Sequence, residues 1–346
     1  MSGDLKLGYN TGYWAGGPPP GMQDTILEAE RLGYDSIWTA EAYGSDCLTP
    51  LAWWGSRTER LRLGTAIVQM SARQPAATAM AAMTMDHLSG GRFALGLGVS
   101  GPQVVEGWYG QSFAKPLART REYIGILRDI WARQGPVTND GVHYPLPLPG
   151  GTGLGKPLKA GIHPLREDIP VYLGAEGPKN VALCAELCDG WLAMLLCPDN
   201  QDQFESYLDE GFAREGARRT KEEFDVAATV PLIVCDDVQD GIDGMRPFYA
   251  LYFGGMGAKG ANFHANVPAR MGYEDEVREI QELYLGGKKQ EAAAAIPAEL
   301  IEKMSLVGPL DKIRHDLDAW RESIVTTMLI QGDANTLRTA AELVLG

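Results

Sequence analysis

Three points in the sequence combine residue types and positions that suit ligand binding or proton transfer. Glu41 follows the apolar run Ser36–Thr39. A carboxylate there could orient a cofactor or transfer a proton, and its structural alternatives are a helix cap or a surface salt bridge. Gly98–Gly101 and Gly174–Lys179 also follow apolar runs. Their glycines allow a flat or anionic ligand to approach the backbone closely.

The segment Gly174-Ala175-Glu176-Gly177-Pro178-Lys179 has the features of a phosphate site. It joins a predicted strand to a helix that begins near Pro178. Free N–H groups and the helix dipole bind phosphate at such a point, and Lys179 adds a positive charge. A plain tight turn with proline in the first helical position is the alternative. The second glycine-lined strand end in the same chain favours phosphate binding.

The segment Gly96-Leu97-Gly98-Val99-Ser100-Gly101 matches the dinucleotide-binding pattern G-x-G-x-x-G. That pattern normally opens a helix at once and is completed by an acidic residue about 20 positions later. Here Pro102 follows, the next helix is predicted only from Leu117, and the acidic residue is missing. We therefore interpret the segment as a strand end where a flat ligand approaches the backbone.

Short apolar runs alternate with amphipathic helical patterns along the chain. The predicted strands are Leu5–Tyr9, Ser36–Thr39, Leu61–Val68, Arg92–Gly98, Pro170–Leu173, Trp191–Leu195, Ala227–Val234 and Thr326–Ile330. Alternating strands and helices imply a parallel sheet, and eight strands favour closure into a (β/α)₈ barrel over an open, doubly wound sheet. In a barrel, Glu41 lies at the C-terminal, functional end, which favours its functional interpretation.

Two long segments interrupt this alternation within a single domain of residues 1–346. They are Gly135–Ile169, rich in proline and glycine, and Met245–Ser305, which contains Gly254–Gly260 and the predicted helices Glu274–Leu285 and Lys289–Lys303. Loops of this length in a compact domain are typically functional or disordered, and we expect both over the C-terminal face of the barrel. The first insertion contains His143 and His163 and the second contains His264, so these histidines are candidates for a role in a lid.

Charge and composition exclude several classes of protein. The 346 residues carry a formal net charge of −14, which argues against nucleic-acid and anionic-membrane partners. Met1–Leu5 has no features of a secretory signal, and no apolar run reaches the roughly 18 residues of a membrane helix. Five scattered cysteines predict reduced thiols in a cytoplasmic protein. No spacing of ligating residues predicts a metal site.

Several segments together resemble the bacterial luciferase-like flavin and deazaflavin oxidoreductases. The segments are Ala29–Glu41, Leu61–Ile67, Leu88–Gly98, Pro170–Ala175, Cys188–Trp191 and Val307–Pro309. They extend over nearly the whole chain, and the most similar subgroup is that of the oxidoreductases that use the deazaflavin coenzyme F420.

The resemblance implies a (β/α)₈ barrel with the deazaflavin at the C-terminal strand ends. It further implies a non-proline cis peptide at Ala66–Ile67 that supports the ring, phosphate contacts from Gly174–Lys179 and cofactor contacts from Gly98–Gly101. Family members associate, so we expect a homodimer or a higher homo-oligomer.

Two departures bear on the reaction. Some sugar-phosphate dehydrogenases of the family have Asp-His after the second strand and a glutamate after the fourth-strand glycines. This chain has Glu41-Ala42 and Gly101-Pro102-Gln103 instead. We therefore do not expect sugar-phosphate dehydrogenation, and Glu41 is the surviving candidate for proton handling. Glu106 and Tyr109 are weaker candidates.

The sequence thus predicts an F420-dependent oxidoreductase that transfers a hydride between the deazaflavin and an unidentified small molecule. A luciferase-like monooxygenase that uses reduced FMN is one alternative, and an F420-binding protein without turnover is another. An apolar organic substrate is indicated by aromatic residues that a barrel mouth would expose, namely Tyr13, Trp14, Tyr43, Trp108, Tyr109 and Phe253.

Overall fold

The computed structural model describes residues 5–14, 16–257 and 262–346 of the chain. Its strands are β1 (Lys6–Gly12), β2 (Ser36–Thr39), β3 (Arg62–Thr65), β4 (Val68–Gln69), β5 (Phe93–Gly98), β6 (Val171–Gly174), β7 (Gly190–Ala193), β8 (Asp225–Thr229), β9 (Leu232–Val234), β10 (Leu306–Gly308) and β11 (Thr327–Ile330). Parallel pairing runs in the order β3-β2-β1-β11-β8-β7-β6-β5-β4, and β3 also pairs with β5. The sheet therefore closes into the predicted (β/α)₈ barrel, in which β3 and β4 occupy one strand position.

Helices surround this barrel. They are α1 (Met22–Arg31), α2 (Leu48–Gly55), α3 (Pro75–Ser89), α4 (Pro102–Gly107), α5 (Pro116–Ala132), α6 (Pro178–Leu187), α7 (Gln201–Phe212), α8 (Val238–Ala250), α9 (Asn266–Pro268), α10 (Glu274–Leu285), α11 (Lys289–Ala294), α12 (Ala298–Lys303), α13 (Leu310–Arg321) and α14 (Ala334–Val344). Within the described part of the chain, none of them combines the length and the apolar character that a membrane span requires.

Local sequence accounts for several helix ends. Pro75 and Pro178 stand at the first positions of α3 and α6, where their missing N–H has no helical partner to lose. Gly90 follows α3 with a φ of 66°, a conformation that glycine adopts at little cost. The side chain of Asp333 accepts hydrogen bonds from the N–H groups of Asn335 and Thr336 and so caps α14.

The barrel interior is filled by side chains, so ligands must bind at the strand ends. Trp38, Tyr172 and Leu329 are buried together in this interior. At the N-terminal end, the Tyr172 hydroxyl donates a hydrogen bond of 2.7 Å to Asp225, which also pairs with Arg62.

Two predicted elements are wrong in extent, and both contain a proline. The predicted strand Ala227–Val234 is divided at Pro231, where β8 ends and β9 leaves the barrel to pair with β10. The predicted helix Lys289–Lys303 is divided into α11 and α12 next to Pro297. Proline lacks the N–H that a ladder or a helix interior needs, which explains both interruptions.

The two insertions are placed differently. Arg166 in the first insertion pairs with the buried Asp86 of α3, and the N–H groups of His143 and Tyr144 both donate to Glu122 of α5. The first insertion therefore packs against helices on the outer side of the barrel at these points, and Tyr144 within it lines a pocket together with Arg73 and Val99. For the first insertion, the expectation that it covers the C-terminal face of the barrel is therefore limited to the part around Tyr144.

The second insertion contains α9–α12 together with two π-helical segments, Leu251–Gly255 and Ala269–Tyr273, and β10 follows it directly. Residues 258–261, which include part of the glycine-rich segment Gly254–Gly260, lie outside the described residues, as do residues 1–4 and residue 15.

Candidate functional site

The peptide bond between Ala66 and Ile67 is cis, which confirms the geometry that the family resemblance implied. It interrupts the third strand position between β3 and β4. A Cβ atom at Gly98 would lie 2.7 Å from two Ile67 side-chain atoms, and one at Gly174 would lie 3.2 Å from Ile67 Cγ2. Two of the glycines predicted to admit a ligand therefore also make room for Ile67, whose side chain brings the ends of β4, β5 and β6 together.

The segment after β5 continues this surface toward the second insertion. Ser100 has a φ of 58°, and a Cβ atom at Gly101 would lie 3.8 Å from the Met256 carbonyl oxygen. Helix α4 begins at Pro102, immediately after Gly101. The expectation that no helix begins before Leu117 was therefore wrong, and the dinucleotide reading is instead excluded by the closed barrel.

Glu41 forms a buried ion pair with Arg73, so it is neither the helix cap nor the surface salt bridge that were the structural alternatives. Its side chain is 4 % exposed, and Oε1 accepts hydrogen bonds from Arg73 Nη1 at 2.6 Å and from the Gln69 N–H at 2.9 Å. Oε2 lies 3.4 Å from the Cys47 amide nitrogen, which donates to it. Glu41 thus holds the chain that follows the cis peptide, and its role in proton handling stays a prediction.

Of the two weaker candidates, Tyr109 lies beside this pair. The Tyr109 hydroxyl donates to the Ala42 carbonyl oxygen at 3.3 Å, and burial, followed by the charge of Glu41, raises the pKa of Tyr109. Glu106 is exposed and accepts a hydrogen bond from the Phe113 N–H at 3.2 Å.

The predicted phosphate segment opens a true helix. Gly177 is the residue before α6, with Pro178 in the first helical position. A Cβ atom built on Gly177 meets no atom within 4 Å, so an open space lies beside the start of the helix. Lys179 is exposed. These features fit an anionic group bound by the helix start.

Arg270, which the sequence reasoning did not single out, lies against this segment. Its Nη2 donates a hydrogen bond of 3.2 Å to the Glu176 carbonyl oxygen. Its Nε is buried and has no hydrogen-bond partner among the described residues. A buried guanidinium N–H without a partner is costly, and an anion at the start of α6 would satisfy it.

His264 forms the second contact between the second insertion and the end of β6. Its Nδ1 lies 2.7 Å from Glu176 Oε1, and its ring contacts that of Tyr252 edge-on, with centroids 5.0 Å apart. The Glu176 side chain, which was assigned to the cofactor, is therefore directed to this histidine.

The aromatic residues divide into exposed and packed sets. Tyr43 is 54 % exposed and Trp108 is 66 % exposed, whereas Phe253 is fully buried. Trp14 packs against Trp54, with ring centroids 5.4 Å apart. Phe253 is thus a core residue and no candidate for substrate contact.

A family model described as "Luciferase-like monooxygenase" matches residues 9–327. The chain belongs to this family. It is 55 % identical to a Mycobacterium tuberculosis protein named "Putative coenzyme F420-dependent oxidoreductase", over 99 % of this chain and 100 % of that protein. It is 29 % identical to the 5,10-methylenetetrahydromethanopterin reductase of Archaeoglobus fulgidus, over 87 % of this chain and 86 % of the relative.

A solved structure has the same fold. The coenzyme F420-dependent tetrahydromethanopterin reductase from Methanopyrus kandleri superposes with a TM-score of 0.81 at 21 % identity, over 99 % of both chains. Together these relatives identify the chain as an enzyme, an oxidoreductase of the luciferase-like family.

Proposed function

We propose that this luciferase-like enzyme uses coenzyme F420 to transfer a hydride to or from a small organic substrate. The observation that carries the proposal is the start of α6, where the unpartnered Nε of Arg270 and the open space beside Gly177 suit the phosphate of a flavin-type cofactor. The name of the relative at 55 % identity favours F420 over FMN.

The residues at the strand ends fit the remaining parts of such a cofactor. The cis peptide Ala66–Ile67 and the segment Gly98–Gly101 would support the ring, and Gly174–Lys179 with Arg270 would hold the phosphate. When bound, F420 supplies a carrier that accepts or donates a hydride, while the protein supplies orientation and exclusion of water. The exposed rings of Tyr43 and Trp108 favour an apolar organic substrate.

The deciding experiment measures equilibrium binding of F420 and FMN to the purified protein, side by side at fixed salt. We expect clear preference for F420. Preference for FMN would contradict the proposal and favour an oxygen-using monooxygenase. Tight F420 binding without reaction across a panel of alcohols, ketones and enones would favour a binding protein without turnover.

Gly177→Val is expected to weaken F420 binding about tenfold or more, or ~1.4 kcal/mol, because the added side chain fills the space beside the start of α6. Folding should be unaffected, since the backbone of Gly177 is extended and no atom lies near its Cβ position. The measurement is the F420 dissociation constant together with the melting temperature. Gly135→Val is the matched control, because its Cβ position is also open but lies in the first insertion. Unchanged F420 affinity in Gly177→Val would argue against the phosphate site.

Arg270→Gln is expected to weaken F420 binding by about tenfold or more, since hydrogen bonds to charged groups are each worth roughly 1.5–3 kcal/mol. The salt dependence of F420 binding should become smaller, because one positive charge no longer faces the phosphate. Arg278→Gln, at a largely exposed arginine of α10, is the control. Equal salt dependence in Arg270→Gln and the wild type would contradict the assignment.

We also propose that the enzyme forms a homodimer through the exposed side of α2 and α3. Trp53, Met80 and Leu88 are 66 %, 57 % and 75 % exposed on this side. Asp86, the only Asp, Glu, Lys or Arg in α3, is buried against Arg166. Two chains with a net charge of −14 repel each other least where a surface is apolar and uncharged.

Met80→Lys is expected to convert the dimer to a monomer, because it places two like charges in the contact. Light scattering after size-exclusion chromatography measures the mass. Leu285→Lys, at an apolar residue of α10 with a similar exposure, is the control and should remain dimeric. A dimer that survives Met80→Lys would contradict this contact surface, and a monomeric wild type would contradict the association itself.

A further inference from the structure

The contact between His264 and Glu176 joins the second insertion to the C-terminal end of β6. It connects residues 88 positions apart, and the distance of 2.7 Å between Nδ1 and Oε1 is that of a charge-assisted hydrogen bond. The second carboxylate oxygen of Glu176, Oε2, is buried and has no partner among the described residues. The pair therefore lies beside the proposed cofactor site and retains an unused acceptor.

A buried asparagine fixes the backbone that carries His264. Asn262 Nδ2 donates to the carbonyl oxygens of Tyr252 and Phe253, both at 2.8 Å. Its Oδ1 accepts hydrogen bonds from the N–H groups of His264 and Ala265. The imidazole is thus held by its backbone, by the carboxylate on Nδ1 and by the edge of the Tyr252 ring.

The free ring nitrogen is available for chemistry. The His264 side chain is 24 % exposed, and Nε2 makes no hydrogen bond to any described residue. A carboxylate on Nδ1 fixes the ring orientation and stabilises the imidazolium, as in other acid–base histidines.

The surrounding groups favour a charged imidazole. Burial by itself would lower the pKa of His264, but the charge and hydrogen bond of Glu176 raise it above the ordinary value of 6.5. Tyr252 is neutral, because burial raises its pKa to about 12, with smaller contributions from Tyr13, Glu176 and Tyr43. Among the described residues, Arg270 is a further charged group that contacts Glu176, and it does so at the backbone oxygen.

We propose that His264, oriented by Glu176, is the residue that donates and accepts the proton accompanying hydride transfer. The inference rests on the proposed function. In the reducing direction, bound reduced F420 would supply the hydride to a carbonyl carbon of the substrate, and the π electrons would move to the carbonyl oxygen. That oxygen takes the proton from Nε2 of His264, and the neutral imidazole regains a proton from solvent. The oxidising direction is the reverse.

Glu41 is poorly placed for the same task. Both of its carboxylate oxygens already accept hydrogen bonds, from Arg73, Gln69 and Cys47. These three donors belong to the protein itself, so the Glu41 oxygens are already occupied by the chain that surrounds them.

The first test measures the pKa of His264 by NMR in the cofactor-free protein, with the resonance assigned from His264→Gln. We expect a value above 6.5 in the wild type and a lower one in Glu176→Gln, while the other four histidines are unchanged. The stability that the ion pair contributes should be complete below pH 6.5 and should disappear as the pH rises through the raised pKa. An identical pKa in Glu176→Gln and the wild type would overturn the proposal.

The second test compares F420 binding and turnover. With reduced F420 and a panel of ketones and enones, His264→Gln should lower the turnover rate by about 10²–10⁴-fold and remove one limb of its pH profile. F420 affinity and melting temperature should stay near the wild-type values. Added imidazole should restore part of the rate in His264→Ala, and His315→Gln, at an exposed histidine, is the control.

The outcomes separate this inference from the proposed function. F420 binding with wild-type turnover in His264→Gln would overturn the role of His264 and leave the F420-dependent activity standing. A wild-type protein that binds no F420, or that binds it and turns over no panel member, would overturn both.

Discussion

Glu41→Ala is expected to lower the free energy of unfolding by about 3–5 kcal/mol, because it leaves a largely buried Arg73 guanidinium without its counter-ion. The same change removes the acceptor for the N–H groups of Gln69 and Cys47, both of which are buried. Gln69 lies two residues after the cis peptide Ala66–Ile67, which would support the cofactor ring. We therefore also expect Glu41→Ala to weaken F420 binding. Urea unfolding followed by circular dichroism measures the stability.

A control variant and a conservative variant show whether the loss of stability comes from the buried ion pair. Glu106→Ala removes an exposed carboxylate of α4 and should change the free energy of unfolding by no more than about 0.5 kcal/mol. Glu41→Gln keeps the side-chain volume and one acceptor oxygen, so it should be less destabilised than Glu41→Ala. If Glu41→Gln folds and turns over at the wild-type rate, the predicted proton-handling role of Glu41 is contradicted. That result would not bear on the stability contributed by the ion pair, which Glu41→Ala tests.

The barrel was predictable because each strand is a local pattern. A buried parallel strand is indicated by a short apolar run, and the helix that follows it is indicated by apolar residues that recur about every 3.6 positions. Neither pattern requires knowledge of distant residues. The same local reading failed where tertiary pairing decides. Leu232–Val234 is apolar enough for a barrel strand, but it pairs with Leu306–Gly308 outside the barrel.

The candidate site was predictable only in part, for a related reason. Gly177 and Pro178 lie in one continuous segment, so their helix start could be deduced from spacing. Arg270 and His264 reach Glu176 from 94 and 88 residues away, and the path of the second insertion decides their positions. The sequence signals a lid histidine but contains no local pattern that pairs it with a particular carboxylate.

Gly96→Ala is expected to lower the free energy of unfolding by more than about 3 kcal/mol, at the upper end of overpacking effects. A Cβ atom at this position would overlap the carbonyl oxygen of Thr65, which is backbone and cannot rotate away, and would lie 2.7 Å from Leu192 Cδ1. The Thr65 hydroxyl donates to the Gly96 carbonyl oxygen and accepts from the Gly96 N–H, both at 2.9 Å. Separating the two strands would break both bonds.

Three glycines at the same end of the barrel make this a graded test. The three atoms nearest to a Cβ atom at Gly98 all belong to the Ile67 side chain, which can change rotamer, so Gly98→Ala should cost about 1–3 kcal/mol. Gly177→Ala meets no atom and should stay within about 0.5 kcal/mol of the wild type. Unfolding free energies measured for all three should therefore fall in the order Gly177→Ala, Gly98→Ala, Gly96→Ala. A Gly96→Ala protein as stable as Gly98→Ala would mean that β3 can move away from β5, and that the surface beneath the proposed cofactor is not held by this contact.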